Sequence, residues 1–139
     1  MSLPPSPLSL EVIDLICTMV VRYNEEYEAA AAGNRLTGVQ ARLVALLTHG
    51  PLPMRRIAEQ LKCEPSNVTG LVDRLEARGL VQRRPDPADR RVKLVVVTDA
   101  GRTTAGLLRG ALDFAREPLA ALPAKDRETL RDLLRTILT

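Results

Sequence analysis

Between Pro53 and Gly101 the apolar pattern switches from helical to extended spacing, and that switch narrows the possible folds most. Val68, Leu71, Val72 and Leu75 recur at i, i+3, i+4 and i+7, one stripe at the helical period. Pro65 suits the first position of that helix, where a missing N–H loses no intrahelical partner. Met54, Ile57, Ala58 and Leu61 make the face of a shorter helix before it. After it come two short runs, Leu80 to Arg84 and Val92 to Val97, the second β-branched and apolar as a strand requires. Pro85, Asp86, Pro87, Ala88 and Asp89 form a turn-rich tip between them. Short helix, turn, second helix, hairpin: this order predicts a winged helix-turn-helix, which lays its second helix in the DNA major groove.

At about 100° per residue, Ser66, Gly70, Asp73 and Ala77 face away from the stripe. Asn67 and Arg74 fall on one flank, Thr69 and Glu76 on the other. Small hydrogen-bonding residues thus sit at the helix N-terminus, where free N–H groups and the helix dipole favour phosphates and base edges. Gly79 is expected to end the helix, with Arg78 in its last turn. Taken alone, this helix is better read as a plain amphipathic surface helix. The hairpin shifts the balance. Arg83, Arg84, Arg90, Arg91 and Lys93 stand against Asp86 and Asp89, so residues 80–93 carry +3, the net charge of the whole chain. Such a cluster on a hairpin beside a helix-turn-helix fits phosphate or minor-groove contact. Arg55 and Arg56 lie on the outer side of the first helix, within reach of backbone phosphates. The candidate DNA contacts are Arg55, Ser66, Asn67, Thr69, Arg74, Arg84, Asp89, Arg90 and Arg91.

The wing run Asp86-Pro87-Ala88-Asp89-Arg90-Arg91, followed by Leu94, Val96, Thr98 and Gly101-Arg102, resembles the MarR (multiple antibiotic resistance regulator) family of bacterial transcription regulators. So do Pro65-Ser66-Asn67-Val68-Thr69 and Val72-Asp73-Arg74-Leu75-Glu76. The likeness runs from about Leu36 to the C-terminus; Gly70 departs from it, since a longer, often basic side chain is frequent there. The resemblance implies homodimers on near-palindromic operators. It implies that Arg91 enters the minor groove while Asp89 holds its guanidinium. It also implies that a small anionic or phenolic effector releases DNA from a cleft between the dimer helices and the winged module, by favouring protomer spacings that miss successive grooves.

The termini point to a dimer by physics as well. A long helix is expected from about Leu8 to Ala32, ended by Gly33 and Asn34. It carries two stripes, Leu10, Ile13, Cys17, Val20, Asn24 and Tyr27, and beside it Val12, Ile16, Met19 and Tyr23. An arc that wide must bury two sides, one on its own domain and one on a partner. Thr37-Gly38-Val39-Gln40 reads as a capping box, with Val39, Leu43, Leu46 and Leu47 inward and Gly50-Pro51 as the stop. Thr98 is an N-cap for a long helix with Leu107, Leu108, Ala111, Leu112 and Ala115 inward. Pro118 and Pro123 bracket a break. A last helix, about Ala124 to Leu138, has Leu130, Leu133, Leu134, Ile137 and Leu138 on a wide apolar face. Two over-apolar terminal helices predict a two-fold interface, with half-sites ~34 Å apart. The expected fold is mainly α with a small β-hairpin wing, in one intertwined domain. Residues 1–35 and 100–139 supply dimerisation helices and 36–99 the DNA-binding region.

Charge and composition agree. Residues 1–50 carry net −2, residues 51–100 net +3 and residues 101–139 net +2, so the proposed reader is the most basic part. With Tyr23, Tyr27 and Phe114 the only aromatics, a stacking platform for RNA or single strands is disfavoured. There is no phosphate loop, no nucleophile elbow and one histidine, His49, so no enzyme is expected. No span of 18 uncharged apolar residues occurs, and the first residues lack a signal-peptide pattern. Cytoplasmic localisation is expected, with Cys17 and Cys63 reduced. Their spacing with His49 fits no metal site, and no cofactor is expected. Two alternatives stay in view. One is a winged-helix protein-interaction module that binds no DNA. The other is a redox-sensing regulator using Cys17, which some members of the resembled family suggest, although a small apolar-stripe residue is its plainer role.

Overall fold

The computed structural model describes residues 2–139, except for the side chain of Ala115, so its expected inward position lies outside the described residues. The chain divides into two units. One is Tyr27–Ala111; the other joins the stretch up to Glu26 with Leu112–Thr139.

In the Tyr27–Ala111 unit, Thr37 caps α2 (Gly38–Leu47) with the full capping box: its hydroxyl accepts from Gln40 N and its own N–H donates to Gln40 Oε1. α3 (Met54–Leu61) and α4 (Pro65–Ala77) form the helix-turn-helix, and β2 (Val81–Pro85) pairs antiparallel with β3 (Lys93–Val97). The α4 stripe Val68, Leu71, Val72 and Leu75 is buried throughout. With Leu43, Val44, Leu47, Ile57, Val81, Val95 and Leu108 it forms the core. Each such side chain is worth about 1.5–3 kcal/mol when removed from water.

A third strand, β1 (Leu52–Pro53), was not expected. It pairs with β3, Leu52 opposite Val95, giving the order β1-β3-β2. Pro53 is tolerable because β1 is an edge.

Two helices close on left-handed residues other than glycine. α1 (Pro7–Gly33) ends at Gly33 as expected, and the left-handed residue of its closing turn is Arg35. Arg35 holds φ 58° while Leu36 N donates to Ala31 O and Arg35 N to Ala32 O. α3 ends likewise on Lys62, φ 52°, with Cys63 N donating to Ala58 O. Both are left-handed closures of the Schellman kind, usually glycine. Burial of Leu36 after Arg35 supplies the apolar contact that compensates. α4 closes as expected on Gly79, φ 73°, followed by buried Leu80. Arg78 then donates to the carbonyls of Arg35 at 2.6 Å and Asn34 at 3.0 Å.

α5 (Asp99–Gly110) starts at Thr98, whose hydroxyl accepts from Gly101 N and donates to Gly79 O. It is shorter than expected. Leu108 is 1% exposed and Ala105 is buried, but Leu107 is 59% exposed, Ala111 is exposed and Leu112 half-buried. The inward set is therefore corrected to Gly101, Ala105 and Leu108. The helix stops at Gly110, a residue that favours helix poorly.

In the other unit, α6 (Asp113–Arg116), a 3-10 turn (Leu119–Ala121) and α7 (Ala124–Leu138) follow. Glu26 ties α1 to α6: its carboxylate accepts from Phe114 N at 3.0 Å and pairs with Arg22 at 3.5 Å, while the Arg22 guanidinium lies over the Phe114 ring. No residue of α1 before Tyr27, and none of α7, is buried. The expectation that one α1 stripe packs on its own domain is therefore cut back to its C-terminal end, where Tyr27 of the first stripe is buried. Leu10, Ile13 and Val20 on one stripe, and Val12, Ile16, Met19 and Tyr23 on the other, are all exposed in the single chain.

Candidate nucleic-acid interface

Local sequence places each basic side chain. α4 begins at Pro65, so Ser66, Asn67 and Thr69 lie in its first turns, and all three are exposed. Asn67 and Arg74 line one groove with Val39, Cys63 and Leu71, the flank that helical spacing assigns to them. Gly70 stands between, and a Cβ built on it meets no atom within 4 Å. With open space and a helical backbone, Gly70→Ala is expected to stabilise the fold by about 1 kcal/mol. A raised denaturation midpoint at unchanged slope is the check.

The wing tip is shaped by its own aspartates. Asp86 Oδ1 accepts from Ala88 N at 2.9 Å, and Asp86 N donates to Val92 O at 2.9 Å. Asp89 accepts from Arg91 three times: from the backbone N at 3.1 Å, from Nε at 3.1 Å and from Nη2 at 3.4 Å. The side-chain bond from Arg91, then its backbone N–H, hold the Asp89 carboxyl below its ordinary pKa. Asp89 therefore stays ionised and aims a guanidinium that is itself 92% exposed. Arg84 and Arg90 are exposed as well, Arg84 donating to Gln82 Oε1 at 3.0 Å.

Arg55, exposed at the start of α3, lines a second groove with Pro53, Met54, Asp89, Val92 and Lys93. Lys93, a member of the basic cluster but not one of the candidate contacts, lines this groove too. Arg83 goes the other way. It counts in the cluster by sequence, but its guanidinium is taken by Asp73 at 2.5 Å and Glu76 at 2.7 Å on α4. Partial burial lowers the Arg83 pKa, yet hydrogen bonds and charge from both carboxylates outweigh it, and the net shift is upward.

Cys17 is exposed and Cys63 half-buried, and His49 is exposed in the turn after α2. Among the described residues no group of three or more His, Cys, Asp or Glu could hold a metal ion. Nor is any described helix long and apolar enough to cross a membrane. What the face offers is fixed cations and a narrow helix tip, the chemistry of polyanion recognition.

A helix-turn-helix followed by a basic antiparallel wing defines the winged helix-turn-helix class of DNA-binding proteins. The MarR family model matches residues 37–93. The chain is 31% identical to the HTH-type transcriptional repressor NicR of Pseudomonas putida, over 96% of this chain and 86% of that protein. It belongs to the MarR family of transcription regulators. Among solved structures, CouR from Rhodococcus jostii RHA1, crystallised with p-coumaroyl-CoA, is 28% identical with a TM-score of 0.71, covering 96% of this chain and 95% of that one. Sco5413, a MarR family regulator from Streptomyces coelicolor, is 30% identical with a TM-score of 0.66, covering 95% and 94%.

Proposed function

We propose that two copies of this chain bind a near-palindromic operator in duplex DNA, act as a repressor and let go when a small effector binds. The observation that carries this reading is the wing, where Asp89 holds an exposed Arg91 guanidinium beside an open α4 tip. Ser66, Asn67 and Thr69 meet bases or adjacent phosphates. Arg74 meets backbone or a base edge, Arg55, Arg84 and Arg90 meet phosphates, and Arg91 enters the minor groove with Asp89 orienting it. Dimerisation comes from residues 1–35 and 100–139, flanking the 36–99 reader, because their apolar surface is uncovered in one chain. NicR's description as a repressor supports repression here. The p-coumaroyl-CoA carried by CouR supports an effector that is a phenolic or anionic compound. The protein works in the cytoplasm, where its DNA is, and without catalysis, since its relatives are transcription regulators.

The test is an operator selected from random duplexes by the purified protein. An inverted repeat is expected. On it, Arg91→Ala is expected to cost about 1–3 kcal/mol of binding while dimer mass is unchanged. Parental affinity in that variant removes Arg91 from the interface. Affinity should also fall steeply between 50 and 200 mM salt, by about 10³-fold or more for six or more phosphate contacts.

A further inference from the structure

We propose that Arg83 is a positioning residue: it clamps the wing to the recognition helix and so sets where Arg91 meets DNA, without touching DNA itself. This rests on the operator reading above. β2 is an edge strand, and the Arg83 N–H is not spent on β3; it donates to Glu76 Oε2 at 3.0 Å. The other Glu76 oxygen takes Arg83 Nη1 at 2.7 Å, and Asp73 takes Nη2. Asp73 and Glu76 stand three apart on α4, so one planar guanidinium reaches both. The Arg83 side chain is only 26% exposed, against 92% for Arg91. Its partner across the ladder is Val95, fully buried in the core. A lone hairpin is marginally ordered in water. Here one residue pins the wing's outer strand to α4 through both backbone and side chain. The same contacts keep two carboxylates on the recognition helix from standing as bare negative charge.

The clamp is tested first without DNA. Hydrogen exchange at the wing amides, Gln82 to Val96, is expected to quicken in Arg83→Met and in Glu76→Met, but not in the neighbouring Arg84→Met. Unchanged exchange in both clamp variants overturns the proposal. With operator, Arg83→Met is expected to bind about tenfold more weakly, and the Arg83→Met/Arg91→Ala pair no more weakly than Arg91→Ala alone. Arg84→Met combined with Arg91→Ala should instead be additive. Additive losses for Arg83→Met mean that it acts apart from the wing and overturn the proposal. Glu76→Met supplies a test of sign. Removing a negative charge near phosphates should by charge alone tighten binding, so weaker binding supports the clamp and tighter binding overturns it. If exchange quickens as expected but Arg91→Ala does not weaken binding, the operator reading fails, and the consequence of the clamp for DNA fails with it.

Discussion

Glutamate at both Ile13 and Val20 is expected to leave a monomer in sedimentation and to lower operator affinity about 10²–10⁴-fold. The two side chains stand seven apart on one α1 stripe and are 51% and 50% exposed in the single chain. If a second protomer covers that stripe, two carboxylates per chain would be buried without partners, a cost no interface of ordinary size absorbs. Losing the second half-site then removes the gain in effective concentration that tethering provides. Neither residue belongs to the core of the Tyr27–Ala111 unit, so the circular-dichroism signature of the winged module is expected to persist. A variant that still sediments as a dimer dismisses α1 as the interface. A true monomer that binds the operator like the parent dismisses the two-fold reading instead.

Gly101→Ala is expected to destabilise the protein by about 3 kcal/mol, the upper end of overpacking costs. That corresponds to roughly 10 °C in Tm by thermal melting. In an open helix the same change is favourable, as argued for Gly70. At Gly101 the new Cβ would lie 2.2 Å from Leu80 O and 2.6 Å from Val97 Cγ2. The carbonyl cannot retreat cheaply, because it already accepts from Thr98 N at 3.1 Å. Leu80 is itself the buried residue that closes α4, so any shift there is passed to the recognition helix. A melting curve that overlays the parent's would show that this junction is loose.

What the sequence made legible was local. The α4 stripe, the Thr37 capping box and the Thr98 cap each lie within one or two helical turns. The Asp89–Arg91 contact spans two residues, and the family's motif names it. Features that depend on distant partners were hidden. β1 is two residues beside a proline, and only β3 makes it a strand. Arg35 and Lys62 adopt left-handed backbone because Leu36 and Cys63 must turn back on their helices, a demand their own side chains do not announce. Arg83 looked like one more free cation until α4 supplied two carboxylates from across the turn. Leu107 is exposed because it stands about 100° from Leu108 on the same helix, off the face that Gly101, Ala105 and Leu108 bury. The two-sided apolar arc of α1 was legible, but of its two stripes only Tyr27 is buried in the single chain.

The paired hydrogen bonds from Arg78 to the carbonyls of Asn34 and Arg35 fasten the root of the recognition helix to the tail of α1. Arg78 grips two peptide oxygens rather than a mobile side chain, so the joint has little slack. A small tilt in the final turn of α1 is therefore expected to swing the groove-reading helix with it, as a crank moves its shaft.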